Sequence, residues 1–242
     1  MSCLQGDSDK RGSRLDVKNV VSGILSVKVD LHLHSEYSWD SRTKISSYIK
    51  SAEDRGFGAI AIADHNGTQS HHTIEKLQGD TEVILVPAQE VSTSEGHLLV
   101  YGWIDSLEQK RTMEDTVSSA RDLGALLTVA AHPYDLLRKG KGDRVLTTGI
   151  DGLEVLNASM LIGYFNHLGK KAVEKTGLFG VGNSDSHRIS EFGFAYTIIE
   201  ESKNVEEVLS NLSNGEVGGK RIGVMRKSRR FMQRLLGRIP ED

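Results

Sequence analysis

From Val27 to His34 apolar and polar residues alternate, with Val27, Val29, Leu31 and Leu33 on one side and Lys28, Asp30, His32 and His34 on the other. A period of two predicts a strand with one face against apolar partners. The period then changes. Ile45, Tyr48, Ile49 and Ala52 recur at helical spacing across Lys44 to Arg55, and Gly56 marks the stop. Further strands are expected at Ala59–Ala63, Val83–Pro87, His97–Trp103, Leu126–Ala131, Gly152–Leu156, Phe179–Gly182 and Ala195–Ile199. Helices are expected at Thr68–Leu77, Met113–Leu123, Leu161–Lys175 and Val205–Leu212.

Strand and helix alternate about seven times with no internal linker or repeat, which predicts parallel strands joined by right-handed crossovers. In Ala59–Ala63 the alanines share one face and Ile60 and Ile62 the other. Small residues inside and branched ones outside suit a narrow barrel wrapped by helices. A closed or nearly closed α/β barrel is expected over an open sheet, because strand after strand delivers polar residues at its carboxyl end.

Those polar residues carry the chemistry. His32, His34, His65, His97, His132 and His187 all fall at such ends, with Asp40, Glu90, Glu154 and Asp185 among them. His32 and His34, two apart on a strand, point the same way; by themselves they could line a polar cleft or share an ion. Asp185 and His187 repeat the spacing. Six imidazoles converging on one barrel mouth predict metal, and their number exceeds the three or four ligands of one zinc ion. Two or three ions sharing a bridging carboxylate are expected, a cluster suited to phosphoester hydrolysis. Mixed histidine and carboxylate donors suit zinc, manganese or iron alike.

The motifs DLHLHSEYSWD, IADHN, the glutamate of AQEVSTSEGHLLVYG, AHPY, GLEVLN and GNSDSH follow one another in order from about Val29 to His187. Together they resemble the polymerase and histidinol phosphatase (PHP) superfamily, and SEFGFAYTII is similar to the segment that often trails that domain. The resemblance implies a distorted TIM-like barrel of seven β/α units over residues 25–218, with three ions at the carboxyl ends of the strands. It assigns His32, His34, Asp185 and the bridging Glu90 to the first ion. Glu90, His97 and His132 go to the second, and Asp40, His65 and His187 to the third. Glu90, Asp185 and His187 are the residues on which catalysis is expected to depend.

Asp30 and Asp64 lie beside ligands and could orient an imidazole. Glu154 is expected behind the ligands or against substrate. Arg138, Lys139, Lys141 and Arg144 lie on a basic, glycine-broken loop after His132, and Arg188 follows His187. These cations could neutralise substrate phosphate. His71, His72 and His167 sit on predicted helices and are expected in solvent.

The implied activity is a stand-alone phosphoesterase in which a hydroxide held between ions attacks phosphorus in line. Small phosphomonoesters or nucleotide phosphates are the first substrates expected, with histidinol phosphate among those the family takes, and nucleic-acid ends the alternative. A metal-dependent C–N hydrolase is a rival, though no lysine falls at a strand end. A regulatory module that keeps its metals as scaffold is another.

Composition changes this picture in two places. Cys3 is the single cysteine, which excludes a disulfide framework and a cysteine-rich zinc site and fits a reducing, cytoplasmic setting. No apolar run is long enough to cross a bilayer. The net charge of −3 conceals a basic end: from Lys220 on, eight lysines and arginines face only Glu241 and Asp242. That leaves roughly −9 on the body. Residues 219–242 are expected as a basic amphipathic tail that packs on the barrel, lies on an anionic membrane surface or contacts nucleic acid. Residues 1–24 are expected to be disordered.

Overall fold

A computed structural model describes residues 19–21 and 24–223. Most of the basic tail and most of the N-terminal extension lie outside the described residues. Strand pairing nevertheless begins within the stretch expected to be disordered, since β1 (Asn19–Val21) runs antiparallel to the start of β2 (Ile24–Leu33).

The first half follows the expected order. α1 (Ile45–Arg55) buries Ile45, Tyr48, Ile49 and Ala52, and ends where Gly56, at φ 65°, donates its N–H to Ala52 and Glu53. β3 (Phe57–His65), α2 (His71–Gln78) and β4 (Ile84–Thr93) follow, and β2, β3 and β4 pair in parallel. The uniform parallel sheet then breaks. β5 (Gly96–Tyr101) pairs antiparallel with β4 and with β6 (Leu127–Ala131). Only Ser94 and Glu95 separate β4 from β5, far too few residues for a crossover, so the chain can only reverse.

α3 (Met113–Asp122) joins β5 to β6, and two short 3-10 helices, Leu136–Arg138 and Gly142–Thr147, join β6 to β7 (Gly152–Asn157). α4 (Gly163–Thr176) leads into β8 (Phe179–Asn183). β9 (Ala195–Glu200) returns antiparallel beside β2, and after α5 (Val205–Asn211) β10 (Glu216–Gly219) closes that edge. Nine strands thus form the order β10-β9-β2-β3-β4-β5-β6-β7-β8, with β1 as an appendage on β2. The expected seven β/α units do not describe this sheet, because β5 and β9 run against it and no α-helix separates β6 from β7.

The sheet curls until its ends nearly meet. The Thr197 hydroxyl of β9 bonds both the N–H and the carbonyl of Gly182 in β8, at 3.0 and 3.2 Å. At the mouth, His34 donates its N–H to the Ser186 carbonyl at 2.9 Å, tying β2 to the loop after β8. Inside, Val29, Leu31, Ala59, Ala61, Ala63, Val86 and Ala88 form one core with Val208, Leu209 and Leu212 from α5 and the turn after it. Ile60 and Ile62 pack outward with α1 and α2. The inside-small, outside-branched pattern expected of β3 is the one observed.

β2 departs from strict alternation. Its register against β3 shifts between Asp30 and Leu33, so that Val29 and Leu31 join the inner core while Leu33 packs in the outer layer. Such an irregularity re-aims side chains. It lets His32 and His34 face the barrel mouth from a strand whose earlier apolar residues also face inward.

The described start of the tail docks on the barrel. Ile222 is buried with Ala158 and Ala195, its N–H bonding the Ala158 carbonyl at 2.8 Å, and Arg221 donates to the Leu161 carbonyl at 2.7 Å. Among the described residues no helix is long and apolar enough to cross a membrane.

Candidate metal centre

Glu90, near the end of β4, stands at the middle of the mouth and is 1 % exposed. Its Oε1 lies 2.9 Å from His97 Nδ1, 3.1 Å from His132 Nε2 and 3.5 Å from His32 Nε2. Its Oε2 lies 2.9 Å from His65 Nδ1 and 3.5 Å from His34 Nε2. One carboxylate therefore has an imidazole group at each oxygen. Burial opposes its ionisation, but His97, His32 and His132 hold the carboxyl well below the usual carboxylate range.

Three sets of side chains bring their ligand atoms within 4.8 Å of one another: His32, His34 and Glu90; Glu90, His97 and His132; and His34, His65 and His187. The first two hold the histidines assigned by sequence. In the third, His34 stands where Asp40 was expected, its ring 4.3 Å from that of His65 and 4.1 Å from that of His187. Asp40 is still close, with Oδ2 3.0 Å from His187 Nε2 and 3.5 Å from His65 Nε2. Asp185 directs Oδ1 to His34 Nε2 at 3.4 Å and to His32 Nε2 at 3.8 Å. All nine residues assigned as ligands converge.

The donor set fits cations. His32 Nε2 faces His34 Nε2 at 3.1 Å. Glu154 accepts a hydrogen bond from His32 Nδ1–H at 2.8 Å, so that in the neutral ring the lone pair is on Nε2 and turned into the cluster. Two imidazole nitrogens so placed call for a proton or a metal between or beside them. Asp40 Oδ1 and His132 Nδ1 are buried with no hydrogen-bond partner, two of the few such atoms among the described residues, and Glu90 Oε2 has the imidazole of His65 at ion-pair distance without a well-aligned hydrogen bond. Buried polar atoms without partners, gathered in one place, mark a site with capacity for an ion or water.

The field is uneven. Burial lowers the affinity of His32 for a proton, yet Glu154, Asp185 and Glu90 raise it well above the ordinary histidine value. Burial likewise disfavours His65 as a cation, but Asp40 and Glu90 push it up to about 10. His34 goes the other way: burial, then His187 and His65, press it down to about 4. Carboxylates that favour protons on His32 and His65 would favour metal cations in the same place.

Glu154 is the main support. Oε1 holds His32 and also accepts from Asn183 Nδ2 at 2.9 Å, while Oε2 accepts from the His132 N–H and from Asn157 Nδ2, each at 2.9 Å. With four donors bound, it stands behind His32 and His132 and has no lone pair left for substrate. The two asparagines were not singled out by sequence; their positions at the ends of β7 and β8 were the available signal.

Asp30 and Asp64 do not touch an imidazole. Asp30 receives the N–H groups of Ser184 and Gly193 at 2.9 and 3.0 Å, and burial pushes its carboxyl up to about 7. Asp64 binds Ser35 through both N–H and hydroxyl and takes the Ser38 hydroxyl, each at 2.7 Å. Ser38 Oγ in turn lies 3.3 Å from His34 Nδ1, so Asp64 reaches that imidazole only through serine.

Arg138 also differs from expectation. Its guanidinium contacts Asp185 and bonds Asp135 at 2.8 Å. Burial pushes Asp185 upward, but Arg138 and then His32 keep it well below the usual carboxylate range. The arginine is thus engaged by carboxylates instead of awaiting phosphate. Lys139, Lys141 and Arg144 are exposed on the same loop and Arg188 is half-buried. His72 and His167 are exposed as expected, but His71 is half-buried against Trp103, ring centres 5.4 Å apart.

Two site residues hold left-handed backbone without being glycine: His132 at φ 32° and Asp185 at φ 52°. Such conformations cost energy and cluster where function needs a side chain aimed.

Known proteins resemble this chain in sequence and in fold. The PHP domain family matches residues 30–125, and the PHP-associated family matches residues 163–217. The uncharacterized protein MJ1587 of Methanocaldococcus jannaschii is 30% identical over 159 residues, covering 62% of this chain and 92% of that protein. A two-domain Bacteroides vulgatus protein, described as containing a predicted PHP-like metal-dependent phosphoesterase, superposes with a TM-score of 0.71 at 18% identity, over 92% of this chain and 74% of that one. Endonuclease Q, solved with a 27-mer duplex carrying an abasic lesion at the active site, gives a TM-score of 0.55 at 19% identity over 81% of this chain and 58% of its own. The sequence matches and the fold agree: this chain belongs to the PHP domain family.

Proposed function

We propose that the protein is a metal-dependent phosphoesterase acting on small phosphomonoesters or nucleotide phosphates. The observation that carries this reading is Glu90, whose two carboxylate oxygens each face imidazoles of a different set. His32, His34, Asp185 and Glu90 would hold one ion, Glu90, His97 and His132 a second, and Asp40, His65 and His187 a third, with His34 close enough to share.

Zinc, manganese or iron would suit these donors. When bound, such ions supply a nucleophile from water at neutral pH and positive charge for the phosphoryl oxygens. The chain's own contribution is placement. Glu154 fixes the ring of His32, Ser38 steadies His34, and Arg138 with Asn157 holds the outer oxygen of Asp185. Lys139 and Lys141, exposed on the loop that carries Arg138, would attract an anionic substrate.

The nuclease reading has its own support in the likeness to Endonuclease Q and in the basic residues from Lys220 onward. A C–N hydrolase would commonly bridge its ions through lysine; here the bridging position is a glutamate and the nearby cation is an arginine. A cytoplasmic location is the setting proposed. The test is a panel of phosphomonoesters, phosphodiesters and amides assayed with manganese, zinc and iron after chelation. Turnover of monoesters that chelation abolishes supports the reading, and turnover of amides alone overturns it.

A further inference from the structure

We propose that Trp39 is a stacking platform for the base of a nucleotide whose phosphate lies at the metal centre. The inference rests on the phosphoesterase reading, chooses the nucleotide among its two substrate classes and adds the residue that would hold the base.

Trp39 is 85 % exposed, the most exposed large hydrophobic residue among those described. A lone exposed tryptophan on an ordinary surface needs no explanation. This one sits between two residues anchored in the site. On one side Ser38 gives its hydroxyl to Asp64 at 2.7 Å and accepts the His65 N–H at 3.1 Å. On the other, Asp40 lies 3.0 Å from His187 and 3.5 Å from His65.

The loop that carries it is stitched down along its length. Ser41 donates to the His34 carbonyl at 2.7 Å and to the His187 carbonyl at 3.0 Å, Thr43 donates to the His187 carbonyl at 3.2 Å, and Glu36 donates its N–H to the Thr43 carbonyl at 3.0 Å. A segment held by so many bonds does not leave an indole in water by looseness.

The ring has a direction. It lies 6.0 Å from His65 with the planes 25° apart, nearly parallel to an imidazole of the cluster, and most of its surface stays open. Trp39 therefore stands one ring beyond the place where phosphate would be held. A planar group carried on the substrate's sugar would meet the indole, and indole offers a face to any nucleobase without reading its identity. Because the loop is already ordered, stacking would cost little further entropy.

A matched pair of esters tests this in the metal-loaded full chain: adenosine 5′-monophosphate, and ribose 5-phosphate, which has the same phosphate without the base. Wild-type protein should favour the nucleotide in kcat/KM by about tenfold or more. Trp39→Ala should lower that ratio by a similar factor, mostly through KM, and Trp39→Phe should keep much of it. A second readout does not depend on turnover. The chain has two tryptophans, so Trp103→Phe leaves Trp39 as sole fluorophore, and adenosine monophosphate should quench it where ribose phosphate does not. An unchanged ratio in Trp39→Ala, or fluorescence indifferent to the nucleotide, overturns stacking while the phosphoesterase reading stands. If neither ester turns over with any metal, that reading fails, and the fluorescence still decides whether a base stacks on Trp39.

Discussion

Glu154 Oε1 accepts from His32 Nδ1 at 2.8 Å, with both side chains fully buried. Three further donors occupy the rest of the carboxylate, so its position is over-determined and the imidazole's orientation with it. Partners of this kind fix the ligand's tautomer and typically change metal affinity about 10–100-fold when removed. Glu154→Gln should therefore lose metal to a competing chelator at concentrations that leave the wild type loaded, with circular dichroism unchanged. Equal retention of metal by the two proteins would make Glu154 a packing residue only.

Glu90 should separate from the histidines that stand outside the site. Glu90→Ala removes the carboxylate shared by two imidazole sets and should abolish phosphoesterase activity while the protein stays folded. His167→Ala, on the exposed side of α4, should keep nearly full activity. Equal losses in a steady-state assay would mean that the convergence on Glu90 is not what drives the chemistry.

Metal uptake should expel protons. His65 is pushed up to about 10 and His32 well above the ordinary value, so at neutral pH each carries a proton that a cation must displace. Apparent affinity should accordingly rise with pH across the neutral range, by about tenfold per pH unit for each proton displaced. Calorimetric titration of the metal in buffers of different ionisation enthalpy measures the number directly. Net release of at least one proton is expected, and no dependence on buffer would contradict it.

The strand-end histidines were legible because a period of two puts side chains on known faces, and β3 kept its alanines inward as that rule requires. The register shift in β2 was not legible, since nothing in Asp30-Leu31-His32-Leu33 marks it locally; it arises from pairing against β3. The reversal at β5 was hidden for a related reason, as apolar runs look alike whichever way they pair. The pairing of Arg138 is not legible either, because sequence places it on a basic loop and does not show Asp185 arriving from a distant part of the chain. Trp39 lies inside a motif dense in histidines and an aspartate, and in sequence nothing separates it from a core residue; only its exposure does.

The basic segment should be dispensable for small substrates. Deleting Arg226 to Asp242 removes none of the residues of the centre and should leave turnover of small phosphate esters largely unchanged. If that segment grips nucleic acid, the same deletion should weaken RNA or DNA binding, and the intact protein's affinity should fall steeply with salt. A deletion that abolished turnover of small esters would tie the tail to the barrel's own integrity.

The central claim is that His32, His34, Glu90 and the residues around them hold a cluster of ions. Elemental analysis of protein purified after metal-replete growth measures this most directly. Two or three divalent ions per chain are expected, falling to fewer in Glu90→Ala. Less than one equivalent in the wild type would contradict the cluster.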